Sequence, residues 1–338
     1  MLQCVTFRFV APPRLVYCFR VDWRNRTRTT TTSMKSVITF PSRWVSSEYF
    51  ESALARGPSP LANEVFEVTF VVPVECKVMV DAGAKLLSIA NQLAFSTKRV
   101  TLDFEEGEQG TMGYLNRMGF FDSLHDAVNV NPARPAHSGA DLYKGSNPNL
   151  VEFEALSPKH IDKHLPSRMA DALVESVRGK TDAEEERLHD AAFTIFAELI
   201  QNVYRHSETP LSGYAAMQLY RNGGKATVCV SDSGLGIMAT LKQTLARHYP
   251  SLAKKSDPEV LLEMVRTGVS RFGRDNGCGI RQSARKALAY NASMEIRMPT
   301  SRVVLKPTPG SAALGIAQYV EELPLIWGTH INYDFQLD

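Results

Sequence analysis

AFTIFAELIQNVYRHSETP, from Ala192 to Pro210, and VCVSDSGLGI, from Val228 to Ile237, are the two halves of one chemistry-rich stretch. The stretch begins as a helix and ends in a glycine-interrupted turn after a strand. Glu198, Asn202 and His206 fall at i, i+4 and i+8, which puts them on one narrow helical face drifting about 40° per step. Ala192, Ile195, Phe196, Leu199 and Val203 form an adjoining apolar stripe, the kind that seats a helix on a sheet. A carboxylate, an amide and an imidazole are therefore expected at the border of a core. Tyr214 to Leu219 and Ala226 to Val230 read as strands joined by the turn Arg221-Asn222-Gly223-Gly224-Lys225. The second strand runs into Asp232-Ser233-Gly234-Leu235-Gly236, where two glycines let backbone approach a ligand closely.

ELIQN (198–202), DSGLG (232–236) and the later DNGCGI (275–280) resemble the N-box and the two glycine boxes of the GHKL ATPases, the Bergerat-fold superfamily. That superfamily includes DNA gyrase, a heat-shock chaperone, mismatch-repair ATPases, sensor histidine kinases and anti-sigma-factor serine kinases. The resemblance covers roughly the C-terminal 150 residues, an ordinary domain size. It implies a Bergerat-type α/β sandwich over 181–338; with a helical connector read at 157–180 and a small α/β domain read at 61–156 from their own patterns, the fold expected is α+β.

The totals suit this organisation. A chain of 338 residues fits two domains, and 44% hydrophobic with 22% charged residues is globular composition. A net charge of +2 argues neither for nor against nucleic acid, and no nucleic-acid partner is assigned. Five scattered cysteines without a CxxC pair favour free thiols in a reducing, cytoplasmic setting. No apolar run approaches the roughly 20 residues that span a bilayer, so no membrane partner is expected.

Residues 1–60 read differently. Six arginines from Arg8 to Arg28 face one acid, Asp22, and lead into a threonine-rich run. Two readings stay open: an organellar transit segment, or a disordered extension upstream of a natural start at Met34. Gly57-Pro58-Ser59-Pro60 marks the boundary.

From Val65 to about Leu156, strand and helix alternate: Phe66 to Val72, Ala82 to Phe95, Arg99 to Phe104 and Met112 to Met118, with Leu150 to Glu154 expected back in the same sheet. VTLDF (100–104) followed by GTMGYLNRMGFF (110–121) is similar to the middle of a STAS domain, a partner and substrate of anti-sigma serine kinases. By that resemblance Thr111 stands where a phosphorylatable residue would. The DSSG-type signature is absent, however, and a plain helix N-cap is the competing role for Thr111.

The GHKL resemblance implies ATP and Mg²⁺ as ligands. Asn202 would be the metal ligand, an amide oxygen beside waters and phosphate oxygens. Glu198 would be the catalytic base. Asp232 would accept the adenine amine, with Gly234 and Gly236 passing under base and sugar. Gly277 and Gly279, before a helix from Ile280, would cradle phosphates at the helix N-terminus. Arg271 or Arg274 would neutralise the γ-phosphate or stay solvated. In the closing LPLIWGTHINYDF (323–335), Thr329 would set a hydroxyl near the phosphates. His206 would continue the Glu198 face or answer the helix dipole. Residues 238–276 would be a mobile lid.

Three roles remain open. The first is a serine/threonine protein kinase acting on a protein partner; the second is an ATPase switch that changes partner or homodimer contacts. The third, a sensor histidine kinase, requires a separate phosphoacceptor helix, whereas His189 falls in the helix of Glu198. A nucleotide-gated interaction module without catalysis is the non-enzymatic alternative.

Overall fold

β-Branched and aromatic runs bounded by Pro, Gly and Ser become strands as their composition dictates. The computed structural model describes residues 34–177, 179–206, 208–270, 273–274, 279–308 and 311–337. The first elements are β1 (Met34–Thr39), β2 (Trp44–Val45), α1 (Ser47–Leu54), β3 (Val65–Val72), β4 (Lys77–Val78), α2 (Val80–Phe95), β5 (Arg99–Phe104), α3 (Thr111–Arg117), β6 (Val128–Asn131) and α4 (Gly139–Tyr143). β1, β3, β5 and β6 form a parallel sheet in that order. α1, α2 and α3 bury Phe50, Leu86 and Leu115 in one core with the sheet. The strands accordingly alternate: Val68, Phe70 and Val72 are buried, while the other face carries Lys35 paired to Glu67 at 2.8 Å. The boundary drawn at residue 60 is thereby corrected, because β1 and α1 lie before it and bury Ile38, Phe50 and Leu54 in this core.

The remaining elements are β7 (Leu150–Leu156), α5 (Leu165–Ser176), α6 (Asp182–His206), β8 (Gly213–Tyr220), β9 (Lys225–Ser231), α7 (Ile237–His248), α8 (Pro250–Ala253), α9 (Asp257–Thr267), β10 (Val269–Ser270), β11 (Gly273–Arg274), α10 (Gly279–Ala289), β12 (Ala292–Met298), β13 (Ser301–Thr308), β14 (Ser311–Val320) and β15 (His330–Gln336). Seven of the strands make an antiparallel sheet ordered β14-β13-β12-β15-β9-β8-β7. Leu150–Leu156 pairs with β8 in this sheet. The expectation that it rejoins the parallel sheet is corrected: it is an edge strand of the second layer. The chain is thus a mixed α/β protein with one parallel and one antiparallel main sheet.

Both faces of the antiparallel sheet are covered. Along β8, Ala215, Met217 and Leu219 join the core with Ile195, Phe196 and Leu199 of α6. The alternate residues Tyr214 and Ala216 join Leu86, Ile89 and Leu93 of α2. That is the period-two alternation of a strand used on both sides. α2 lies between the two sheets, and Val80 through Ala94 is buried without a break. A helix apolar all round belongs inside a protein, and this one also carries polar groups that must be satisfied there.

Its Lys85 ammonium is fully buried between Glu51 of α1 at 2.9 Å and Glu295 of β12 at 2.8 Å. Arg297, equally buried, holds Glu51 through two nitrogens at 3.0 and 3.2 Å. Burial raises the Glu51 pKa, but Lys85 and Arg297 outweigh it and bring the carboxyl to about 2. Removing one member of such a cluster strands the rest, at a cost of about 3–5 kcal/mol. Among the described residues, no helix is long and apolar enough to cross a membrane, and Cys76 and Cys229 are buried free thiols.

Candidate functional site

On α6 the apolar stripe Ala192, Ile195, Phe196, Leu199 and Val203 is buried, which leaves Glu198 and Asn202 half-buried at its margin. One turn apart, they touch: the Asn202 Nδ2 donates to Glu198 Oε1 at 3.3 Å. The Asn202 Oδ1 takes no hydrogen bond among the described residues.

Gly279 opens α10 directly against this pair. A Cβ placed on Gly279 would lie 1.8 Å from Glu198 Oε1, so a side chain there would have to displace the Glu198 carboxylate. The start of α10 and the Glu198 carboxylate of α6 therefore meet. Arg271 and Gly277 lie outside the described residues, as does Cys278. Arg274 is described only as a residue of β11, and the side chains of Arg274 and His206 lie outside as well.

Asp232 follows the end of β9 and is 8% exposed. Its Oδ1 accepts the Gly234 N–H at 2.8 Å, and its backbone N–H donates to the Thr329 carbonyl at 2.9 Å. Burial pushes its carboxyl up to about 6, against backbone hydrogen bonds from Gly234, Thr329 and Ser233 that hold it lower. Gly328, at φ 88°, is pressed so closely on this loop that a Cβ would lie 1.9 Å from the Asp232 carbonyl oxygen. Gly236, at φ 77°, starts α7.

The Thr329 hydroxyl accepts the Ile237 N–H at 2.9 Å and so satisfies a donor in the first turn of α7. This places the Thr329 hydroxyl at the start of α7, beside the Asp232 loop. Thr111 differs from the expected N-cap. Gly110 is the N-cap of α3, and the Thr111 hydroxyl donates to the Cys76 carbonyl and accepts the Val78 N–H at 3.4 Å. Thr111 is 7% exposed, so its oxygen fastens a loop and is a poor phosphoacceptor.

Two contributors escape motif reasoning. Gln92 of α2, fully buried, donates from Nε2 to Ser233 Oγ at 3.1 Å, the residue next to Asp232. Arg281 of α10 donates to the Thr267 carbonyl at 3.4 Å, joining the end of α9 to the helix that Gly279 begins. Neither residue carries a sequence signal, because each acts through packing between distant segments. Among the described residues, no group of three His, Cys, Asp or Glu side chains is placed to hold a metal ion.

Comparison with protein-family models, with curated proteins and with solved structures gives no match. What the site can do is read from its own chemistry: one buried acid between glycines, and one carboxylate–amide pair facing a glycine-started helix.

Proposed function

We propose that residues 181–338 bind ATP with Mg²⁺ in a GHKL-type, Bergerat-fold site. The observation that carries this reading is the contact of Gly279 with the Glu198 carboxylate, which joins two motifs far apart in the chain. The antiparallel sheet with α6 and α10 on one face is compatible with that fold. Asp232 would accept the exocyclic amine of adenine, and Gly234 and Gly236 would leave room for base and sugar. The metal requirement fits the donor chemistry, since Mg²⁺ uses few protein ligands besides waters and phosphate oxygens and the Asn202 Oδ1 is uncommitted. Glu198, hydrogen-bonded to Asn202, would take the proton of the attacking water or hydroxyl.

The consequence of turnover is a switch in partner contacts or phosphate transfer to serine or threonine of a protein partner. The burial of Thr111 speaks against transfer to that residue. His189 lies on α6 itself, 3.1 Å from Asp171, which speaks against a histidine kinase with a separate acceptor helix.

Calorimetric titration with ATP and GTP tests the reading. ATP should bind with Mg²⁺ dependence and GTP should not, and Asp232→Asn should remove most of the ATP affinity. Equal binding of both nucleotides, or normal ATP binding by Asp232→Asn, would refute the adenine assignment. With γ-labelled ATP, label retained on protein marks a kinase, and released phosphate marks the switch.

A further inference from the structure

A groove of about 1560 Å³ opens where the strands of the parallel sheet end, lined by residues 42–44, 75–79 and 109–111 and by the hairpin joining β8 to β9. The carboxyl ends of parallel strands are where α/β sheets receive ligands. Small-molecule pockets occupy roughly 300–1,000 Å³, so this larger, solvent-open groove suits an extended chain better than a compact ligand.

Its wall is basic and aromatic. β2 pairs with β4 so that Trp44 stands opposite Lys77, whose ammonium lies 5.4 Å from the centre of the indole. Tyr220 meets the same indole edge-on at 6.1 Å. Trp44 is 54% exposed, an unusual state for the largest apolar side chain and one that fits an interface anchor.

The cations differ in their commitments. Arg117 is paired with Glu152 at 2.7 Å and Lys225 with Asp334 at 2.9 Å. Arg43, Lys77 and Arg221 have no carboxylate within ion-pair distance among the described residues. Glu75 and Glu106 also line the groove, so recognition belongs to the Trp44 wall rather than to a uniform field.

We propose that this groove is a docking site for an acidic segment of a partner protein, whose carboxylates meet Arg43, Lys77 and Arg221 while an apolar or aromatic side chain packs on Trp44. The proposal stands apart from nucleotide binding. Met79, at the start of α2, lines the groove, whereas Gln92, which touches the Asp232 loop, lies about 20 Å further along the helix.

The test uses the full chain and a fluorescein-labelled random copolymer of glutamate and tyrosine, read by fluorescence anisotropy. Binding should weaken at least tenfold in Arg43→Glu/Lys77→Glu/Arg221→Glu and severalfold in Trp44→Ala. A reversal of three other exposed bases, Lys159→Glu/Lys163→Glu/Lys254→Glu, should stay within twofold of the unsubstituted protein. If the first triple variant fails to fold, the exposed single changes Lys77→Gln and Arg221→Gln carry the same expectation of a severalfold loss each. Saturating ATP should leave copolymer binding unchanged, so a failed nucleotide reading does not touch this result. The proposal is overturned if the copolymer does not bind, if both triple variants weaken it equally, or if ATP displaces it. It is overturned equally if labelled single-stranded RNA binds through these bases and the copolymer does not.

Discussion

Gln92 grips the backbone of Trp327 at both polar groups: its Oε1 accepts the Trp327 N–H at 2.9 Å and its Nε2 donates to the Trp327 carbonyl at 3.1 Å. The same Nε2 reaches Ser233 Oγ at 3.1 Å. One buried amide of the central helix thus ties together the two segments that present Asp232 and Thr329. Gln92→Leu should cost about 1–3 kcal/mol, because it leaves buried backbone groups unsatisfied. Hydrogen exchange should accelerate at residues 232–237 and 327–330 more than in β3 or β5. Uniform acceleration through the chain, or none, would show that Gln92 does not organise these loops.

Asp232 supplies a pH dependence of definite sign. With its carboxyl pushed up to about 6 by burial, the ionised form, the stronger acceptor for the adenine amine proposed to sit there, prevails only above that range. One pH unit below this value about a tenth of the groups are ionised, so ATP affinity at pH 5 should be about tenfold weaker than at pH 7.5. Titrations across that interval check it, and Asp232→Asn should flatten the curve. A wild-type affinity unchanged between pH 5 and 7.5 would contradict the role.

Gly279→Ala tests the meeting of α10 with α6. The added methyl cannot coexist with Glu198 Oε1 in its present place, so either the carboxylate or the helix start must move. ATP turnover should fall by more than tenfold while circular dichroism and the unfolding midpoint stay close to wild type. Unchanged turnover would mean that Glu198 and α10 do not act together.

The Lys85 cluster governs stability. Glu51 lies at about 2 in the folded protein against an ordinary 4.5, so its contribution is present above 4.5 and is lost as pH falls toward 2. Lys85→Met should destabilise the protein by about 3–5 kcal/mol near neutrality, by leaving Glu51 and Glu295 short of a partner. It should also flatten the acid limb of the stability curve measured by urea unfolding between pH 5 and 2.5. An unaltered acid limb would place its origin elsewhere.

Local pattern carried the elements well. The stripe of α6, the β8–β9 hairpin and the helix from Gly279 follow periodicity and turn chemistry that neighbouring residues alone determine. Layering was less legible. α2 reads as one helix of a small α/β unit, but its second apolar side packs on β8 and β9, which no local period reveals. The sheet that β7 joins is hidden for the same reason, since an apolar run does not name its partner strand. Glu198, Asn202 and Asp232 stand out as charged or amide groups at the edges of apolar runs. Gln92 and Arg281 do not, because their significance lies in backbone groups distant in sequence. The role of Thr111 is not legible from its position at the start of α3, because its hydroxyl answers Cys76 and Val78 rather than its own helix.

A crystal of the protein grown with Mg²⁺ and a nonhydrolysable ATP analogue tests the central claim most directly. The account predicts the adenine amine within hydrogen-bonding distance of the Asp232 carboxylate, with the metal on Asn202 Oδ1 and the phosphates at the start of α10. Nucleotide bound elsewhere, or side chains filling the space between Asp232 and Glu198, would contradict it.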